Sequence, residues 1–331
     1  MKKINVAVIG LGAMGKNHAR VYSKMDNVNL VAISDIDKSA KKIADEHKAK
    51  YYSDYKNMLK NEKIDAVSVC VPTKYHKDVA LDCIKGKINA LVEKPIAATI
   101  EEAEEIIKES EKNRIKLMVG HIERFNPVVI ELKKRIKNNE LGKIFKVHCA
   151  RLSLFPQRII DVGVIIDLAI HEIDILKFLI DSKIKRVYAE TSQRFHSSHE
   201  DLLIGTLRFE NGILGVINAN WLTPKKSREI TVTGEKGMLV ANYLTQELYF
   251  YEREYAGKNV DYSRDFIKGK EGKKTQIKVN NEEPLKNELN SFISSVRDNK
   301  APQVTGKDGL EALYIAQKFI ESSKKHQAIE L

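Results

Sequence analysis

The sequence predicts an α/β chain: a doubly wound parallel sheet first, then an α+β domain on an antiparallel sheet. Three observations predict it. Strands and helices alternate through residues 4–120, which implies right-handed crossovers. The turn Gly10-Leu11-Gly12-Ala13-Met14-Gly15 joins the first strand to the first helix. Beyond about His121, strands follow one another with few helices between them.

The elements follow in order. Residues 4–9 are a short apolar run ending in glycine, as in a strand buried on both faces. A helical pattern runs from Met14 to Met25. Val28 to Ser34 is a second strand, closed by Asp35, and Asp37 to His47 is helical. Ile64 to Val71 is the next strand and Tyr75 to Lys85 the next helix. Asn89 to Val92 leads into Glu93-Lys94-Pro95. Thr99 caps a helix reaching Lys112, with Glu101 and Glu102 in its first turn. Lys116 to Gly120 completes a first domain, 1–120.

The second domain, 121–331, opens with an amphipathic helix from Pro127 to Asn138 and an alternating strand from Lys143 to Phe155. A long apolar helix covers Val164 to Ile180. Strands are expected at Arg186–Gln193, Leu202–Phe209, Ile213–Trp221 and Glu229–Thr233, continuing past Gly237. Asn211-Gly212 between two of them signals a hairpin. Glu252 to Lys274 is charged without a clear period, as in a long loop or edge hairpin. Helices at Leu285–Asn299 and Lys307–Lys324 close the chain.

Bulk properties narrow the function. With 331 residues and 43% hydrophobic content the chain can build two ordinary cores. No apolar run reaches the ~18–20 residues that cross a bilayer, so no membrane association is expected. The N-terminal apolar stretch runs straight into the glycine turn and reads as a strand, not a signal peptide. Cys70, Cys83 and Cys149 form no CxxC pair, which fits a reducing, cytoplasmic setting. The net charge is +11, but the lysines are scattered among 45 acidic residues instead of forming a basic arm. That disfavours nucleic acid and favours a phosphorylated or carboxylated small substrate.

The glycine turn follows a strand, opens a helix and has Asp35 at the end of the second strand. Its glycines allow a pyrophosphate to approach backbone at a helix N-terminus. Asp35 suits ribose hydroxyls and would repel a 2′-phosphate, so the cofactor expected is NAD, not NADP. Lys94 ends a parallel strand, where open α/β sheets bind ligands. It reads either as a proton-transfer group or as a structural lysine paired with Glu93. Pro95 stiffens the turn. In the helix from Val164 to Ile180, Asp167, His171 and Asp174 recur at i, i+4 and i+7 on an otherwise apolar element. They suit proton relay and substrate binding, or a satisfied Asp–His core pair. Asp and His are also metal ligands, but a lysine acid–base already fills the activating role, and no metal is expected.

These residues together resemble the Gfo/Idh/MocA oxidoreductases. The likeness runs across nearly the whole chain through Gly10-x-Gly12-x-x-Gly15, Glu93-Lys94-Pro95, Arg124-Phe125-Asn126-Pro127, Leu141-Gly142-Lys143-Ile144 and Asp167-x-x-x-His171. It implies an NAD-binding Rossmann domain, a C-terminal domain with a large, open, mostly antiparallel sheet, a substrate cleft between them, and a homo-oligomer, dimer or tetramer. It implies cofactor contacts from Gly10 through Gly15, Asp35, Pro72, His76, Glu93 and Lys94. It also implies a catalytic group of Lys94, Asp167 and His171, with either Lys94 or His171 as the base.

A narrower likeness lies in Arg158-Ile-Ile-Asp161-Val-Gly163-Val-Ile-Ile-Asp167-Leu-Ala-Ile-His171 and in Asn220-Trp221-Leu-Thr-Pro224-Lys225-Lys226-Ser-Arg228. Both segments resemble enzymes that oxidise the C3 hydroxyl of UDP-N-acetylglucosamine with NAD. A diphosphate needs cations, and Arg158, Lys225, Lys226 and Arg228 are candidates, though Lys225 and Lys226 also read as a solvated hairpin tip. Asn126 is expected to line the cleft. Tyr251, Tyr255 and Tyr262 are candidates for stacking a uracil, or plain edge-strand aromatics. A free-sugar or cyclitol dehydrogenase and a non-catalytic NAD-binding sensor are the alternatives.

Overall fold

The computed structural model describes residues 3–156, 162–253 and 272–331. The chain folds as two compact units, one of residues 1–125 and 283–314, the other of 126–282 and 315–331.

The first unit is built on six strands: β1 (Ile4–Ile9), β2 (Val28–Ser34), β3 (Lys50–Tyr52), β4 (Ala66–Val69), β5 (Asn89–Glu93) and β6 (Leu117–Gly120). They lie in the order β3-β2-β1-β4-β5-β6, and every neighbouring pair is parallel. Crossovers run through α1 (Ala13–Tyr22), α2 (Ala40–Glu46), α3 (Tyr55–Asn61), α4 (His76–Lys85) and α5 (Ile100–Asn113). Val6, Ala7, Val8, Ala66, Val67 and Leu91 are fully buried, because both faces of a parallel sheet are covered. The strand order reverses between β1 and β4, so the turns after these two strands open at the switch point. The Thr99 hydroxyl accepts the Glu102 N–H at 3.2 Å, the cap expected for α5. Two short elements, β3 and α3, went unread because neither carries enough residues to show a period.

The chain returns to this unit late, through α8 (Pro284–Arg297) and the start of α9 (Gly306–Lys325). Val119 N–H donates to the Val304 carbonyl at 3.2 Å. Gly306 and Gly309 lie so close to β6 that a Cβ would meet the Leu117 and Val119 side chains at 2.8 and 2.7 Å. Arg124, from the Arg-Phe-Asn-Pro segment, pairs with Asp308 at 3.1 Å. Burial opposes charge on Asp308, yet Arg124 and the Thr305 bonds hold its carboxyl below the usual range.

The second unit carries α6 (Pro127–Lys137), α7 (Ile170–Leu179) and nine strands: β7 (Ile144–Leu154), β8 (Ile184–Ser192), β9 (Leu202–Phe209), β10 (Leu214–Asn220), β11 (Leu222–Gly234), β12 (Gly237–Asn242), β13 (Glu247–Glu252), β14 (Lys274–Ile277) and β15 (Ile329–Glu330). Their order is β14-β13-β12-β11-β7-β10-β9-β8-β15. All described pairs are antiparallel except β7 with β10. The mostly antiparallel sheet is as expected. Gly212 turns the β9–β10 hairpin at φ 87°. β11 begins at Leu222, seven residues before the expected start at Glu229, and β13 and the two-residue β15 were not foreseen.

No described helix is long and apolar enough to cross a membrane.

Candidate active site

In the first unit the backbone shapes the glycine turn. Gly10 has φ +88°, and a Cβ there would lie 2.7 Å from the Cys70 carbonyl oxygen. Gly12 is different: nothing lies within 4 Å of where its Cβ would be. Gly10 is thus required by the chain itself, while the space over Gly12 is what a pyrophosphate needs above the free amides of α1. Gly12 and Ala13 are exposed, Met14 is half-buried, and Leu11 is buried. Asp35, half-buried, accepts the Leu11 N–H through Oδ2 and the Asp37 N–H through Oδ1 at 2.8 Å. Its carboxylate is therefore fixed beside the glycine turn, as ribose recognition demands. These residues fit NAD, which when bound supplies a hydride acceptor.

Of the other expected cofactor residues, His76 and Glu93 are tied to the Lys94 turn. Pro72 is exposed at the entry to α4. His76 is only 1% exposed, and both its nitrogens face the chain's own carbonyls: Nδ1 lies 2.8 Å from Pro95 O and Nε2 2.9 Å from Val71 O. Burial holds its pKa below the ordinary value against the pull of those carbonyls. Glu93 is also buried, with Oε1 3.0 Å from His18 Nε2 and Oε2 accepting the Lys94 N–H at 3.3 Å. Burial would raise the Glu93 carboxyl, but the His18 hydrogen bond and the charge of Lys94 outweigh it and hold it below the usual range. Lys94 itself is half-buried, and the Lys94–Pro95 peptide is cis.

In the second unit, Asp167 lies in a single π turn, Ile165–Ala169, that runs into α7. The expected single α-helix from Val164 to Ile180 is corrected accordingly, and Asp167 precedes His171 by a wider turn than strict i, i+4 spacing. Such turns are frequent at functional sites. The turn is anchored at its start. Glu200 O accepts the Val164 N–H at 2.9 Å, and Glu200 Oε1 accepts the Ile165 N–H at 3.1 Å. That carboxylate occupies the place of a side chain at Gly163, where a Cβ would stand 2.1 Å from Oε1. Asp167 is half-buried, His171 is 9% exposed and Asp174 is 1% exposed.

Beside His171, Glu172 forms a buried ion pair with Arg151 of β7, Nε to Oε1 at 2.5 Å, with both side chains at 2% exposure or less. Tyr243 OH donates to Glu172 Oε2 at 3.3 Å. Burial, together with the Glu172 charge, pushes the neighbouring Cys149 thiol well up. Sequence reasoning missed this network. Its signal was present: Arg151 continues the inward period of Val147 and Cys149, and Glu172 is one more ionisable group on an apolar helix. His18 was missed in the same way, on the buried face of α1 with Gly15, Ala19 and Tyr22.

Two of the remaining candidates, Asn126 and Arg228, meet at Tyr243, whose N–H donates to Arg228 O at 2.9 Å. Asn126 is 2% exposed; its Oδ1 caps α6 at Val128 N–H (3.3 Å) and its Nδ2 donates to Tyr243 O (3.1 Å). Lys225 and Lys226 are exposed and Arg228 is half-buried, but not on a hairpin tip. β11 pairs with β7 at Leu222↔Leu154 and again at Ser227↔Leu152, so Thr223–Lys226 arch out of the ladder. Tyr251 is an edge-side aromatic of β13 with the Lys274 ammonium 5.4 Å from its ring. Arg158, Asp161, Tyr255 and Tyr262 lie outside the described residues, as does most of the charged stretch Glu252–Lys274.

Comparison with known proteins agrees with this architecture. The oxidoreductase-family model for the NAD-binding Rossmann fold matches residues 4–121, and the model for the family's C-terminal α/β domain matches residues 133–331. The myo-inositol 2-dehydrogenase of Thermotoga maritima is 26% identical, over 97% of each chain. The UDP-N-acetylglucosamine 3-dehydrogenase of Acidithiobacillus ferrooxidans is 25% identical, over 76% of this chain and 78% of its own. The WlbA dehydrogenase of Bordetella pertussis, solved with NADH and UDP-GlcNAcA, superposes with a TM-score of 0.84 over 100% of this chain and 98% of its own, at 23% identity. With its glycine turn, its Glu-Lys-Pro turn and both domains matched, the chain belongs to the Gfo/Idh/MocA family of NAD-dependent sugar and cyclitol oxidoreductases.

Proposed function

We propose that this chain oxidises the C3 hydroxyl of UDP-N-acetylglucosamine to the ketone, with NAD as acceptor, for amino-sugar synthesis. The carrying observation is the Thr223–Lys226 arch, which lifts Lys225 and Lys226 out of the sheet ladder with Arg228 beside them, a cation group suited to a diphosphate. The Acidithiobacillus and Bordetella relatives, whose names or ligands are UDP-amino sugars, support the same reading. Arg158 belongs to the same proposed phosphate group.

Bound NAD would accept the hydride leaving C3, while the hydroxyl O–H bond breaks and C3=O forms. Lys94 or His171 takes the hydroxyl proton. That proton transfer supplies about 10²–10⁴-fold, and the other residue, with Asp167, holds the hydroxyl in place. The glycine turn and Asp35 hold the cofactor. Asn126, at the head of α6 and bonded to Tyr243 O, belongs to the proposed substrate-binding group. The enzyme works in the cytoplasm as a homo-oligomer, without a nucleic-acid partner.

A cyclitol is the second reading, favoured by the Thermotoga relative that spans 97% of both chains. Single-turnover NADH fluorescence decides between them, with NAD-loaded protein mixed in parallel with UDP-N-acetylglucosamine, free N-acetylglucosamine and myo-inositol. A burst with the nucleotide sugar alone is expected. A burst with myo-inositol alone assigns the cyclitol. Silence with all three, from protein holding oxidised NAD, removes both.

A further inference from the structure

We propose that His18 and His76 are positioning residues for Lys94, gripping the turn from both sides through Glu93 and Pro95. The inference rests on the reading of Lys94 as a proton-transfer group.

Lys94 sits between two residues that are each tied to a buried histidine. On one side, Glu93 fills the space over Gly120, where a Cβ would lie 3.0 Å from its carboxylate. Its Oε1 is 3.0 Å from His18 Nε2, and its Oε2 turns back onto the Lys94 N–H at 3.3 Å. His18 in turn has Nδ1 3.0 Å from Ser68 Oγ, and Ser68 Oγ is 2.9 Å from Tyr22 OH. One assignment satisfies every member: Tyr22 donates to Ser68, Ser68 to His18 Nδ1, and His18 Nε2–H to Glu93. The directions agree with the local chemistry, since burial pushes the Tyr22 phenol up and Glu93 stays ionised.

On the other side, His76 spans two strand ends, from Val71 after β4 to Pro95 after β5. A neutral ring has one N–H for two carbonyls, and the Nδ1–H form is the one that fixes Pro95. Lys94 is thereby held by α1 through one neighbour and by the start of α4 through the other.

Cys70 Sγ lies with His18 and Glu93 donor atoms, all within 4.8 Å of one another, so the cluster also has metal-ligand types. Within that cluster His18 Nε2 and Glu93 Oε1 are already paired with each other at 3.0 Å. The hydrogen-bonded network accounts for the arrangement.

Asparagine places an amide near the imidazole Nδ1 position and glutamine near Nε2, which gives a reciprocal test. His76→Asn keeps the Pro95 bond, whereas His76→Gln moves the amide to the Val71 side and loses the Pro95 bond. His18→Gln keeps the Glu93 bond and His18→Asn keeps only the Ser68 bond. Turnover is measured with NAD and whichever of UDP-N-acetylglucosamine or myo-inositol the wild type oxidises, with NAD affinity measured separately. His76→Gln and His18→Asn are expected to lose about 10–100-fold in kcat with unchanged NAD affinity, the scale of a misplacement near 1 Å. Their partners stay within about threefold of wild type, and in a Lys94→Ala background all four variants match Lys94→Ala alone. Equal loss within each pair, or loss that adds to Lys94→Ala, overturns the proposal.

A substrate-independent readout separates this from failure of the enzyme reading. The acetylation rate of Lys94 by acetic anhydride, followed by mass spectrometry, should change severalfold in His76→Gln and His18→Asn and not in their partners. That pattern in a protein that oxidises none of the sugars keeps the clamp and removes the dehydrogenase assignment. Identical Lys94 reactivity in all four variants removes the clamp.

Discussion

In the first unit the groups that matter are held by backbone geometry and by buried hydrogen bonds. Gly10 is forced to φ +88°, Asp35 accepts amide hydrogens, and the neighbours of Lys94 are tied to helices through buried histidines. In the second unit the candidates stand on side chains of a single turn and helix, or on an arch that leaves its sheet ladder. The first arrangement suits a cofactor of fixed shape. The second leaves room for sequence change without change of fold, as a varied set of substrates requires.

Substitutions can break or sharpen this contrast. The largest effect is expected at Lys94: Lys94→Ala should lower turnover by roughly 10²–10⁴-fold while NAD titration stays normal. Equal loss of NAD affinity would make Lys94 a cofactor residue instead. Next comes the buried pair of the second unit. Arg151→Met leaves Glu172 buried without its partner and should cost about 3–5 kcal/mol in urea unfolding. The double change with Glu172→Leu should recover much of that loss.

The glycine turn offers an internal comparison. Gly10→Ala meets both a positive φ, roughly 1–2 kcal/mol, and the Cys70 carbonyl, so Tm should fall. Gly12→Ala meets nothing within 4 Å and should leave Tm unchanged while weakening NAD. If both lower Tm alike, the turn is structural throughout.

Asp201 tests the second unit by pH. It is fully buried, and its carboxylate accepts N–H bonds from Arg194, Phe195 and His196. Burial alone would raise its pKa, but those three amides hold it below the usual range. Its contribution is therefore complete above the unfolded value near ~3.9 and is lost as pH falls through the folded value. Asp201→Asn should lower stability at pH 7 by about 1–3 kcal/mol, and the gap to wild type should close under acid. A gap independent of pH would mean the charge is not what counts. The smallest effect on stability belongs to the arch: Lys225→Ala should leave Tm within error and raise the KM for UDP-N-acetylglucosamine about tenfold, as the loss of one charged hydrogen bond predicts.

How much of this was legible in the sequence differs between the two regions for a physical reason. β1, β2, α5 and the glycine turn announce themselves because one short stretch contains the whole signal: an apolar run, a cap, a spacing. The π turn does not, and the residue that anchors its start, Glu200, lies 35 residues from Ile165 in sequence. His76 is legible as a residue near the cofactor turn, but not its place between the Pro95 and Val71 carbonyls, which depends on two strand ends far apart in sequence. Lys225 and Lys226 were legible as cations and illegible as an arch, because a register slip depends on the partner strand.

The late return of residues 283–314 bears on how this protein can be handled as a gene. A fragment ending where the Rossmann family model ends, at residue 121, carries every strand of the parallel sheet and all the glycines of its signature. It also uncovers the β6 surface where Gly306 and Gly309 rest, and leaves the Val119 amide without the Val304 carbonyl. A gene for an autonomous nucleotide-binding module would have to splice residues 283–314 back onto the fragment. Any recombination that exchanges substrate halves between relatives must likewise cut the chain more than once.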